Sequence, residues 1–148
     1  MNVIIEINRQ VSFRKFAKFD LYLQKIVVKA LVFRGYQESE CVVSVLICDD
    51  ATIQNLNNEF RGKNKPTNVL SFPDGEKLGH QVMLGDIAIS IEMLRREASE
   101  QGKTFKTHFL HLFTHSVLHL LGMDHEIEPE RVAMEAMEDK IMDYISKL

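Results

Sequence analysis

The stretch Thr107–His125, THFLHLFTHSVLHLLGMDH, limits the possible folds more than any other part of the chain. Read as a helix, it turns apolar residues in every direction: Phe109, Leu110, Leu112, Phe113, Val117, Leu118, Leu120 and Leu121. A helix that is hydrophobic all round is buried, so other elements must enclose it. A polar site on such a helix then lies at the bottom of a cleft against a sheet. The stretch carries that polar site as His115-x3-His119, followed by Gly122 and His125. Residues four apart stack on one helical face about 6 Å apart along the axis, so both imidazoles can converge on one cation. A straight helix would carry a third ligand past the ion. Gly122 can take the left-handed conformation that ends a helix, which lets Met123 and Asp124 bring His125 back. Three nitrogens leave a fourth coordination position open, as in catalytic zinc sites.

A single histidine on an apolar helix is more often a hydrogen-bonded core residue than a ligand. Three at this spacing, with glycine between the second and third, reverse that expectation. His108 and His111 share nearly the same face as His115 and His119, and the reading for them is pocket wall or support. A ligating imidazole needs a partner for its other nitrogen, and His111 and Asp124 are the candidates.

A chain of 148 residues makes one domain, residues 1–148, with room for a core. Its 45% hydrophobic and 26% charged residues are those of an ordinary globular protein. No apolar run approaches the roughly 20 residues a membrane span needs. The opening MNVIIEINRQ lacks the basic and long apolar regions of an export signal. Cys41 and Cys48 lie an odd number of residues apart on one expected strand, so they face opposite ways and cannot pair with each other. Both are read as buried thiols in a reducing compartment. The net charge of -3 argues against nonspecific nucleic-acid binding by bulk electrostatics. Charge is uneven, however: residues 1–65 are net +3 and residues 66–148 net -6, and Arg61, Lys63 and Lys65 form the densest basic spot. Taken alone, that spot reads as a solvated loop.

Periodicity predicts a strand at Val3–Asn8 and a helix within Phe13–Phe33, with Ser12 and Asp20 as rival N-caps and Gly35 as its stop. The polar QESE leads into a buried central strand at Val42–Cys48. Asp49 or Asp50 caps a helix through about Phe60 that stops at Gly62, and Asn68–Phe72 reads as a strand. Pro73–Gly79 reads as a turn-rich loop, Val82–Ile89 as a strand, and Ser90 as the cap of a helix to about Glu100. Thr104 or Thr107 opens the histidine helix, and Pro129 the last one, which runs to about Ser146 with a solvated acidic face. The expected fold is α+β: a small mixed, mostly parallel four-stranded sheet with one antiparallel edge, packed with about five helices, the metal site on a buried helix.

The zinc-peptidase pattern H-E-x-x-H-x-x-G-x-x-H fits His115, His119, Gly122 and His125, but Ser116 stands in place of the glutamate. Serine cannot pass a proton to a leaving amine at neutral pH, which weakens a peptidase or amidase reading. Phosphodiester cleavage leans more on a Lewis acid and an arginine, which gives Arg61 a role near Thr67, Asn68 and Ser71.

His115-Ser-Val-Leu-His119-Leu-Leu-Gly122-Met-Asp124-His125, with Pro66-Thr-Asn-Val-Leu-Ser-Phe-Pro73 and Leu84-Gly-Asp86-Ile, resembles the YbeY family of bacterial endoribonucleases, or rRNA maturation factors. The resemblance covers nearly the whole chain. It implies a cytoplasmic, zinc-dependent, single-strand-specific endoribonuclease that acts on an rRNA precursor, in 16S rRNA 3′-end maturation, and in ribosome quality control. It carries one Zn²⁺ per chain over to His115, His119 and His125, and the family's functional arginine to Arg61. The implied partners are single-stranded RNA and the ribosome or its associated proteins, with no membrane and no DNA. Ser116 stands where many members have glycine and puts a side chain at the expected cleft floor. Asn68 replaces the aspartate of some members, which removes an acidic group. Asn68 and Ser71 are candidates to hydrogen-bond the RNA strand, or simply to satisfy strand-end backbone, and Asp86 reads as structural. No general base is assignable; a ribose 2′-hydroxyl nucleophile would be revealed by a 2′,3′-cyclic phosphate on the product. A metal-dependent amidase and a noncatalytic, zinc-stabilised ribosome-assembly factor remain the alternatives.

Overall fold

A computed structural model of the protein describes residues 2–37 and 40–148. Two residues of the QESE connection, Glu38 and Ser39, lie outside the described residues. Strand β1 (Asn2–Arg9) leads to helix α1 (Phe19–Phe33), strand β2 (Glu40–Cys48), helix α2 (Asp50–Arg61), strands β3 (Val69–Leu78) and β4 (Gln81–Ser90), and helices α3 (Ile91–Glu100), α4 (Phe105–Leu120) and α5 (Glu128–Ser146). The sheet order is β1-β2-β4-β3. β1, β2 and β4 run parallel, and β3 is the antiparallel edge. The α+β class and the single antiparallel edge are as the sequence leads one to expect.

Local chemistry sets most element ends. The Asp49 carboxylate accepts from the Thr52 N–H at 2.9 Å, Ser90 Oγ from Met93 at 3.3 Å and Thr104 Oγ1 from Thr107 at 3.1 Å, each satisfying an orphan donor of a first helical turn. Two expectations need correcting. Neither Ser12 nor Asp20 caps α1: Lys18 occupies the N-cap in the left-handed region at φ 62°, with no side-chain cap, and Asp20 sits inside the first turn. Phe13, Phe16 and Phe19 gather on Phe109 of α4 with ring centroids 5.4–6.0 Å apart, so aromatic packing rather than a cap fixes the entry to α1. Pro73–Leu78, expected as loop, continues β3 as a hairpin with β4, whose register shifts between Pro73 and Glu76. Proline, which lacks an N–H, is tolerated on an edge strand at such an irregularity.

Cys41, Val43, Val45 and Ile47 of β2 face the main core with α1, α4 and α5, while Cys48 joins Ile53, Leu70 and Ala88 in a smaller cluster under α2. The two cysteines lie on opposite faces of the sheet, as their spacing requires. Burial pushes the Cys48 thiol up to about 12, aided by the Asp49 and Asp50 charges. The Leu84-Gly85-Asp86 motif marks an irregularity in the β2–β4 pairing. A Cβ on Gly85 would stand 2.3 Å from the Phe72 carbonyl oxygen and 2.9 Å from Leu120 Cδ2. Gly85 therefore lets the hairpin and α4 close on each other, which brings β3 alongside the histidine helix.

Candidate metal centre

The C-terminal end of α4 builds the site. Gly122, at φ 91°, ends the helix. Its N–H donates to the His119 carbonyl at 3.0 Å, and the Met123 N–H donates to the Leu118 carbonyl at 3.0 Å, the double closure of a Schellman turn. The chain reverses there, and the Asp124 carboxylate accepts from the His125 N–H at 2.7 Å. The result is three imidazoles in one place: His115 to His119 is 4.6 Å between ring centroids, His119 to His125 4.9 Å and His115 to His125 5.3 Å. One nitrogen from each ring lies within 4.8 Å of the others, a group able to hold a metal ion.

The hydrogen bonds behind the rings decide what faces forward. His115 Nδ1 is 2.9 Å from Glu138 Oε2, and His119 Nδ1 is 2.9 Å from the Met123 carbonyl oxygen. Burial pushes the Glu138 carboxyl up, but hydrogen bonds from His111 and His115 outweigh it and hold the group at about 2. An ionised carboxylate and a carbonyl only accept, so both Nδ1 atoms carry the proton. With the proton at Nδ1, each ring turns its Nε2 lone pair forward, and those two atoms are 3.0 Å apart. Burial, then the neighbouring His115, lowers the pKa of His119 and favours its neutral form. Two lone pairs that close repel unless a cation sits between them. Metal–nitrogen bonds of about 2.0–2.1 Å fit the spacing, so the donor set suits one divalent ion.

Glu138 is the residue the sequence reading missed. It belongs to the acidic face of α5 expected to be solvated, yet it is only 5% exposed. Its other oxygen accepts from His111 Nε2 at 2.9 Å. Of the two expected supports, His111 therefore holds the carboxylate behind His115 rather than a ligand directly, and Asp124 shapes the turn. A signal existed in hindsight: Glu138 lies four, three and seven residues from the core residues Met134, Ile141 and Ile145, the offsets that share one helical face. His108 has a different fate, buried against Glu97 Oε1 at 2.9 Å.

The cluster opens on a cleft of about 1090 Å³ between the end of α2, the start of β3, α4 and α5. The expectation of a site set against the sheet is met on one wall; the opposite wall is α5. Arg61, Asn68, Ser71, His111, Asp124 and the three histidines all line it. Ser116 does not. Its side chain is fully buried behind the cleft, so it does not stand at the cleft floor where it was expected. Asn68 spends its amide on Glu97, at 3.3 Å, and on the Val69 N–H, at 2.7 Å.

Arg61 closes α2 just before Gly62, whose left-handed turn sends the chain back. Asn57 Nδ2 donates to the Lys65 carbonyl at 3.0 Å and Gln54 Nε2 to Asn64 Oδ1 at 3.0 Å, tying the following loop to the helix. The other cleft arginine, Arg131, is engaged by Glu128 and Glu135. Arg61 has no ion-pair partner among the described residues, so its guanidinium is the cation left for an incoming anion.

An α+β protein with three imidazoles converging in an open cleft beside an uncommitted arginine belongs, as a class, with metal-dependent hydrolases. Comparison with known proteins narrows the class. Residues 6–146 match the family described as Endoribonuclease YbeY, and the chain belongs to that family. It is 47% identical over 120 residues to Endoribonuclease YbeY of Methylocella silvestris, covering 80% of this chain and 68% of that one. It is 45% identical over 129 residues to Endoribonuclease YbeY of Bradyrhizobium diazoefficiens, covering 83% and 70%. A Thermotoga maritima protein solved in solution shares the fold at a TM-score of 0.60 and 26% identity, over 96% of this chain and 89% of that one.

Proposed function

We propose that the protein is a zinc-dependent, single-strand-specific endoribonuclease formed by one domain over residues 1–148, acting in the cytoplasm on the 3′ end of 16S rRNA precursors and in ribosome quality control. The observation that carries the reading is the pair of outward lone pairs on His115 and His119, joined by His125, in a cleft shared with Arg61. His115, His119 and His125 hold Zn²⁺, which supplies Lewis acidity when bound. Glu138 and the Met123 carbonyl keep the first two rings in the ligating tautomer. Arg61 grips a phosphate as a two-pronged fork that lysine could not reproduce. Asn68 and Ser71 border the path of the RNA strand.

Family membership supports an RNA substrate. No helix among the described residues is long and apolar enough to cross a membrane. The net charge of -3 gives the chain little general attraction for RNA, which favours delivery by the ribosome or a ribosome-associated protein. Purified protein is expected to cut a single-stranded RNA, and the cutting is expected to vanish with chelator and in His119→Ala. Metal-dependent hydrolysis of peptides without RNA cleavage would replace this reading with the amidase one. RNA binding with no cleavage at all would leave the assembly-factor role.

A further inference from the structure

Phe60, at 60% exposure, is the most exposed large hydrophobic side chain among the described residues. A lone exposed apolar residue is ordinary on a protein surface; the position of this one is not. It precedes Arg61 on the last turn of α2 and lines the same cleft as the three histidines. Its ring meets Phe72 edge to face, with centroids 5.2 Å apart and planes at 63°. That contact props the ring against the sheet. Phe60 also borders a second cavity, of about 370 Å³, so the ring is shared by the two cavities at the rim of the cleft. Phe33, the other exposed phenylalanine among the described residues, has Lys29 Nζ 5.4 Å from its centroid. No such cation covers Phe60 among the described residues.

We infer that Phe60 is a stacking platform for an unpaired nucleobase of the RNA whose adjacent phosphate Arg61 holds, and so a specificity-determining residue for single strands over duplex. The inference rests on the endoribonuclease reading above. Every base has a π-face, so stacking on an aromatic ring is tolerant of sequence. A base inside a duplex already has both faces covered and cannot offer one, whereas an unstacked base in a strand or loop can. A platform and a guanidinium on consecutive residues grip a nucleotide by its two chemically different ends.

The test uses the absence of tryptophan from the chain. Phe60→Trp introduces a single reporter into the otherwise unaltered, metal-loaded protein, read by rapid mixing before turnover. Titration with a short single-stranded oligoribonucleotide should quench its fluorescence, and the same sequence as a duplex should not. In cleavage assays, Phe60→Ala and Phe60→Leu should each raise KM for single-stranded RNA about tenfold, the size of one base–aromatic stack. Phe60→Tyr should match the wild type, and metal content should stay unchanged throughout. Leucine keeps an apolar contact to Phe72 but has no π-face, which separates stacking from packing. Wild-type KM in Phe60→Leu, or tryptophan fluorescence indifferent to an RNA that the wild type cleaves, would overturn the platform and leave the nuclease standing. Failure of the wild type itself to cleave RNA would bring down both.

Discussion

Two of the histidine–carboxylate contacts on helix α4, two turns apart, do opposite things. His108 meets Glu97 and His115 meets Glu138, each at 2.9 Å. His108 is 3% exposed, and its second nitrogen, Nδ1, is buried with no hydrogen-bond partner among the described residues. The second nitrogen of His115 faces His119 Nε2 at 3.0 Å in an open cleft. A carboxylate behind an imidazole therefore does not by itself mark a metal ligand. What separates the two is where the other lone pair points, and that is decided by the turn at Gly122 bringing His125 to one end of the helix while aromatic rings seal the other.

The most forceful way to break the comparison is to remove a histidine from each end. His119→Ala should lose the metal, by elemental analysis, and lower RNA cleavage on the order of a thousandfold, since a bound ion supplies several kcal/mol of transition-state stabilisation. His108→Leu should keep metal content and turnover, and should cost about 1–3 kcal/mol in urea unfolding because Glu97 loses one of its two side-chain partners, the Asn68 amide being the other. Metal loss in His108→Leu would mean that the two ends of α4 are not independent.

The carboxylates sharpen the same contrast at a lower magnitude. Glu138→Gln should weaken metal affinity roughly 10- to 100-fold, the usual effect of removing the group that orients a ligand, whereas Glu97→Gln should leave affinity alone. Competition with a chromophoric chelator reads both. Equal losses would erase the distinction drawn between the pairs.

Acid bears on the Glu138 pair. The folded-state pKa of Glu138, about 2, lies below its ordinary 4.5. A depressed carboxylate stabilises the fold fully above its unfolded pKa, and that contribution fades as pH falls through the folded value. Metal-free protein should accordingly lose a few kcal/mol between about pH 4.5 and 2, and Glu138→Gln should flatten that limb of the stability profile. An unchanged slope in the variant would show that some other carboxylate sets it.

How much of this could be read from residues alone follows from what each feature depends on. The cap at Ser90 was legible, and those at Asp49 and Thr104 were narrowed to two residues each, because a side chain bonds a backbone N–H three residues on. The histidine triad was legible because helical spacing and one glycine define it. Lys18 at the start of α1 was not, since packing of Phe13, Phe16 and Phe19 on α4 overrides local capping preference. Nor was the reach of β3 to Leu78, which its partner β4 imposes across a proline. Glu138 was hidden for the same reason. Its burial exists only once α5 docks on α4, and in sequence it is one acid among many.

The smallest expected effect lies between the two histidine ends. Ser116 is wholly buried, and its Oγ has no hydrogen-bond partner among the described residues. An unsatisfied buried hydroxyl costs about 1 kcal/mol or more, and serine is a poorer helix former than alanine by a few tenths. Ser116→Ala should therefore stabilise the protein by about 1 kcal/mol, a rise in Tm of roughly 2–4 °C for a chain of this size. Because the side chain points away from the cleft, metal content and turnover should not move. Calorimetry and the RNA assay on the same sample check both halves. If turnover fell despite the higher Tm, the interior behind His115 would be tuning the site as well as filling space, and the division of α4 into a structural and a functional end would have to be redrawn one turn further back.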